Sequence, residues 1–186
     1  MNALRLFPKM VIVVGIAFAL AGLIVAGGGI YIQNFVGQQL RAQQITTPED
    51  ASIPNTAVTG MATALSMADI IQHHAAESGK GLTYAQMGRF AVASGEPAGT
   101  NNAEAALKDA TGKPVANQAR TTQLTAASLV TALSLSAMAI GAAYGAIALG
   151  AGFTLLGLVV AGLGYALLGL ITPAVAQRFG LHPVAV

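Results

Sequence analysis

"TTQLTAASLVTALSLSAMAIGAAYGAIALGAGFTLLGLVVAGLGYALLGLIT", residues 121–172, contains no Asp, Glu, Lys or Arg. About 20 consecutive apolar residues cross a bilayer core, and this stretch is more than twice that long. As one helix it would run about 78 Å. Two arrangements suit it. One is a hairpin, with helices near 124–148 and 152–171 joined at "LGAG" (149–152). The other is one long helix that enters the membrane partway along. Its first half carries Thr121, Thr122, Thr125, Ser128, Thr131, Ser134 and Ser136, whereas 143–171 has Thr154 as its one hydroxyl besides two tyrosines. That polarity gradient favours the single helix, with 121–142 as its outer part and 143–172 as the span.

A second charge-free block, residues 10–33, follows the basic start "MNALRLFPK". From Met10 to Ile32 it is about 35 Å long as a helix, longer than the apolar region of a secretory signal. It reads as an uncleaved anchor, with cleavage after the run Gly27–Gly29 as the alternative. Arg5 and Lys9 precede it, so the positive-inside rule puts residues 1–9 in the cytoplasm. Residues 34–120 then lie outside, and two spans return the tail 173–186, with Arg178, to the cytoplasm. Three spans would leave Arg178 outside. Only 9% of the chain is charged, far below the quarter usual in soluble domains. The expected fold is an all-α membrane protein with two transmembrane helices, or three, flanking a small outward-facing helical module.

Small residues recur in both apolar blocks at steps of four and three. In the first these are Gly15, Ala19, Gly22, Ala26 and Gly29; in the second, Gly150, Thr154, Gly157, Ala161 and Gly164. A period of 3.5 keeps such positions on one seam of a left-handed crossing. Close backbone approach there drives association where lipid offers no hydrophobic advantage. The seam suits pairing within the chain or with a partner's helices.

The intervening segment reads as helical. "MATALSMADIIQHHAAE" (61–77) offers an apolar stripe of Met61, Leu65, Met67, Ala68, Ile71 and Ala75, stopped by Gly79 and Gly81. Thr83 caps a short helix, "YAQMGRFAVA" (84–93), and Asn102 caps "AEAALKDA" (103–110), which Gly112 and Pro114 close. The long helix is expected to begin near Val115.

His73 and His74 are the obvious candidates for chemistry. Neighbours on a helix point about 100° apart and do not converge on one ion; the usual helical pair is His-x-x-x-His. His73 lies between Asp69 and Glu77 in steps of four, while His74 shares a face with Ile70, Ile71 and Met67 and is expected at the edge or core of the module. With no Cys, thiolate sites and disulfides are excluded. No nucleophile elbow, P-loop or dinucleotide fingerprint occurs, and basic residues are scattered singly, against nucleic-acid binding. No catalytic residue, metal ligand or cofactor site is expected. The expected partners are membrane lipid and either protein subunits of a membrane complex or further copies of this chain.

"LRAQQITTPEDA" (40–51), "ADIIQHHAAESGKGLTYAQM" (68–87) and "QARTTQLTAASLVTAL" (118–133) together resemble a group of small actinobacterial membrane proteins. These carry the label "aromatic ring-opening dioxygenase", small-subunit type. The shared pattern falls on Gln44–Ala51, on Ala68–His74 with Asp69, Ile70, Ile71 and His74, on Gly81–Ala85 with Thr83 and Tyr84, and on Ala127–Leu129. The resemblance covers most of 38–170; the longer loop at 95–114 and the longer lead into the last span depart from it. It implies two spans around an outward helical module at the plasma membrane. Extradiol cleavage generally uses iron held by two His and a carboxylate, a set the residues here do not offer. The function expected is therefore non-enzymatic: an accessory, assembly or stabilising subunit of a larger membrane complex, a respiratory one among them. A lipid- or quinone-contacting protein is second, and an enzyme of the labelled type third.

Overall fold

The computed structural model describes residues 3–171, with side chains from Leu6 to Leu170. Asn2, the tail 173–186, Arg178, His182 and the Arg5 side chain lie outside the described residues. The described chain is all-helical: α1 spans Ala3–Ala42, α2 Met61–Ser78 and α3 Gln118–Ile171, with one 3₁₀ turn at Tyr84–Gln86. Isolated antiparallel bridges join the loops, and no strand forms among the described residues. Two compact units result, one from Met1–Asn34 with Gly141–Val186 and one from Phe35–Ile140.

In the first unit α1 and α3 lie against each other, with Phe18 edge-on to Phe153 at 6.2 Å. The hairpin alternative at 149–152 is not adopted, because α3 runs without a break from Gln118 to Ile171. Both helices are long and apolar enough to cross a membrane.

α1 continues to Ala42, beyond the expected end at residue 33. Nothing in "NFVGQQLRA" breaks a helix, and Val36 and Leu40 give its last turns an apolar face. Gln44, with φ 52°, then ends it, its N–H donating to the Arg41 carbonyl at 3.0 Å. The second unit's core joins Leu40 of α1, Val58, Ala64 and Ala68 of α2, and Leu133, Ala137 and Ile140 of α3. On α2 the buried stripe runs through Ala64, Ala68 and Ala75, while Met61 and Leu65 are exposed, which corrects the expected stripe. A second side of α2, with Ser66 and Ile70, is also buried. Ser66 Oγ accepts from the Ile53 N–H at 2.9 Å and so pins the 47–58 loop. Thr47, 1% exposed, holds the same loop by donating its hydroxyl to the Ile53 carbonyl at 2.5 Å and accepting from the Thr56 N–H at 3.0 Å.

The two short helices expected at 84–93 and 103–110 do not form. After the 3₁₀ turn the chain extends, and Phe90 pairs with both Thr100 and Ala116. A Cβ on Gly88 would lie 2.6 Å from the Thr100 Cα, so glycine permits this close approach. In 103–110, Asp109 makes a turn instead, its Oδ1 accepting from the Thr111 N–H, the Thr111 hydroxyl and the Lys113 N–H at 2.7–3.0 Å. Isolated helices of about eight to ten residues are marginal, and these local bonds offer the backbone an alternative.

Asn117, 4% exposed, anchors this irregular region. Its Nδ2 donates to the Gly88 and Pro97 carbonyls at 3.0 and 2.8 Å, and its Oδ1 caps α3 by accepting from the Ala119 N–H at 3.1 Å. The helix therefore starts at Gln118, not near Val115. Replacing Asn117 with Ala removes the cap and leaves two carbonyls without their donor, at a cost of about 2–4 kcal/mol. Asn117→Asp should cost at least as much, because the cap acceptor remains but a buried carboxylate oxygen is set against the same two carbonyls. Thermal melts of the three proteins in mild detergent check that order.

Candidate functional site

The ten small residues singled out in the sequence lie along the contact between α1 and α3. Gly15, Ala19, Gly22, Gly29, Gly150, Gly157 and Gly164 are buried, and Ala26, Thr154 and Ala161 are half-buried. Backbone meets backbone there. A Cβ on Gly22 would lie 2.5 Å from the Gly150 carbonyl oxygen and from the Thr154 nitrogen, and one on Gly157 would lie 2.5 Å from the Gly15 oxygen. Gly15 faces Ala161, Gly150 faces Ala26, and Gly164 faces Pro8 and Ile12, so the helices run antiparallel. Thr154 donates its hydroxyl to Gly150 of its own helix at 2.8 Å and reaches the Ala19 carbonyl at 3.4 Å. By contrast, a Cβ added at Gly27, Gly28, Gly145, Gly152 or Gly162 would meet nothing within 4 Å. The contact also extends past the stretch read from sequence, to Ala143 and Ile147 against Gly29.

The histidines separate. His73 Nε2 pairs with Glu77 at 3.3 Å, four residues on, and both side chains are largely exposed. His74 is not at a core position: its side chain is 49% exposed, and Nε2 donates to Asp50 Oδ2 at 2.6 Å. Of the apolar neighbours expected for it, Ile71 lines a groove together with His74, an edge position. Ile70 is buried on the loop-facing side of α2, Ile71 is half-buried, and Asp69 is exposed. Among the described residues no three His, Asp or Glu side chains gather closely enough to hold a metal ion. The His74 hydrogen bond holds the Asp50 carboxyl below its ordinary range.

Thr83 and Tyr84 serve the loop and the start of α3. The Thr83 N–H donates to Gln86 Oε1 at 2.8 Å, closing the single 3₁₀ turn. The Tyr84 ring carries the Arg120 guanidinium 4.0 Å from its centroid. Arg120 Nε is buried without an acceptor. Tyr84, Arg89, Asn117, Arg120, Thr121 and Leu124 line a recess of about 50 Å³.

Among the grooves that run along α3 beyond this recess, two are the larger. One of about 440 Å³, between the end of α2 and the start of α3, is lined by His74, Ser78, Thr121 and Thr125 among others. The next, about 470 Å³ and mostly apolar, is lined by Leu40, Ile45, Met67 and Leu133 among others. Ile71 and Leu129 belong to both. Sequence reading misses the recess and the grooves, because residues distant along the chain build them. The one available signal is the four-residue step Thr121, Thr125, Leu129, Leu133 on one side of a helix.

Two measurements test this geometry. Alanine favours a helix over glycine by up to about 1 kcal/mol, so Gly27→Ala and Gly152→Ala should leave melting in detergent unchanged or raise it. Gly22→Ala and Gly150→Ala must force the backbones apart and should cost about 1–3 kcal/mol; equal behaviour of the two pairs would contradict the close contact. For Asp50, a carboxyl whose pKa falls on folding contributes stability above its unfolded value of 3.8 and loses it as pH drops through the lower folded value. Asp50→Asn should therefore flatten part of the acid limb of a stability–pH curve.

With the site's geometry in place, comparison with known proteins finds no family model, no curated protein and no solved structure that matches the chain.

Proposed function

We propose that the chain is a non-enzymatic, two-span protein of the plasma membrane that serves as an accessory or stabilising subunit of a larger complex. The observation that carries this is the surface of the paired helices. Off the seam, large apolar side chains stand in the open: Ile24 is 76% exposed, Val13 and Leu155 65%, and Leu149 63%. A core helix of a soluble protein would be largely buried, yet only 17% and 11% of the most apolar windows of α1 and α3 are. Burying one such side chain is worth about 1.5–3 kcal/mol, so lipid or a partner's helices are the fitting surroundings. The resemblance to small actinobacterial membrane proteins supports the same reading. The divergence of the two histidines, each engaged with its own carboxylate, supports a role without catalysis.

The proposed arrangement puts residues 1–9 and the tail in the cytoplasm and residues 34–120 outside. The hydroxyls in the outer part of α3 fit either surrounding, since Ser128, Thr131 and Ser136 donate to the carbonyls four residues earlier. A second reading, a lipid- or quinone-contacting protein, is favoured by the grooves that meet at Ile71 and Leu129.

An impermeant maleimide applied to intact spheroplasts should label Ala98→Cys and not Asn2→Cys, and the protein should stay with membranes in alkaline carbonate. Labelling with the opposite preference would reverse the orientation, and release by carbonate would remove the membrane reading. Purified in mild detergent, the protein should bring down one partner in fixed stoichiometry; a homo-oligomer with bound lipid would favour the second reading.

A further inference from the structure

The recess at the start of α3 and the two grooves form one track. Thr121 lines both the recess and the first groove, and Ile71 with Leu129 lines both grooves. From Thr121 to Ser136 the track follows α3 for about 22 Å. One acyl chain fills about half of a hydrocarbon core ~30 Å thick, so the track is long enough for one. Its two ends differ in chemistry. The far groove is walled by Leu40, Ile45, Met67 and Leu133. The recess presents Arg89 and Arg120, and among the described residues neither has a carboxylate partner. Arg120 is held in place by stacking on Tyr84, with its buried Nε–H lacking an acceptor. The recess admits a few oxygen-sized atoms, and two guanidiniums match the non-bridging oxygens of a phosphate, where one alone would satisfy a carboxylate. The other ionisable side chain at the wall besides Tyr84, His74, is already engaged with Asp50.

We propose that this track binds an anionic phospholipid, with its phosphate at Arg89 and Arg120 and one acyl chain laid along α3 past Ile71 and Leu129. The proposal rests on the lipid-contacting reading and gives it a headgroup and a place. A phosphate diester there would meet two arginines that have no carboxylate partner among the described residues. The chain would cover the exposed side of Leu129, which is 47% accessible.

The test uses the full chain, stripped of lipid in detergent, with phosphatidylglycerol or phosphatidylcholine of identical acyl chains added and adducts counted by native mass spectrometry. Phosphatidylglycerol should bind about tenfold more tightly than phosphatidylcholine. Arg89→Gln combined with Arg120→Gln should bring the two lipids to near parity, while Arg120→Lys, which keeps the charge and loses the fork, should retain part of the preference. Thr125→Trp, filling the track, should weaken both lipids with helicity by circular dichroism unchanged; Ser136→Trp, at the other end, serves should Thr125→Trp misfold. Parity in the unmodified protein overturns the choice of an anionic lipid, since phosphatidylcholine carries the same phosphodiester, and a preference that survives the double substitution overturns the two-arginine site. Binding indifferent to both Trp variants places lipid elsewhere on the chain and overturns the track, while the lipid-contacting reading stands. If neither lipid binds at all, that wider reading falls with it.

Discussion

Close approach of the α1 and α3 backbones is the constraint on which the first unit depends. Helices usually pack at 8–10 Å between axes because side chains intervene; here Gly22 and Gly150 remove them, and each helix presses its main chain on the other. The benefit is dispersion between many atoms at short range, a term that survives in lipid, where apolar burial is worth little. That explains why large residues are absent from this one strip and abundant beside it. Leu149 and Leu155 flank Gly150 and Thr154 in sequence yet point away from α1, mostly exposed.

The second unit is held on a different principle. Its apolar core is small, centred on Ile140 and Val58 at 1% exposure, and three buried polar residues do much of the fixing. Thr47 bonds to backbone groups across its own loop, and Ser66 and Asn117 bond to backbone groups farther along the chain. Each ties an irregular loop to a helix or closes it on itself. Such a unit tolerates loops without regular structure because their carbonyls and N–H groups have partners, as buried backbone must.

What is legible in the sequence follows from the range of the interactions concerned. Charge-free runs and 3.5-residue spacing are properties of one helix at a time, so α1, α3 and the seam residues can be read directly, as can α2. Length alone leaves the hairpin at 149–152 open, since "LGAG" looks like a turn but also continues the small-residue seam through Gly150. The segments 84–93 and 103–110 read wrongly as helix because their pattern is weak and the structure around them is set by non-local pairing of Phe90 with Thr100 and Ala116. The wheel position of His74 puts it among apolar residues, whereas Asp50, 24 residues away, draws it into the open. The Arg89–Arg120 recess has no local signature, because a ring, two guanidiniums and a cap come from three separate segments.

Equal spacing along both strips has one more consequence. Sliding α1 along α3 by seven residues, about 10.5 Å, would again set Gly15 or Gly22 against a small residue, so the glycines alone hardly distinguish one alignment from the next. Thr154 breaks that degeneracy, because it is the one hydroxyl among the ten positions, and its Oγ1 lies 3.4 Å from the Ala19 carbonyl. The rail is nearly uniform, and a single side chain acts as its index mark.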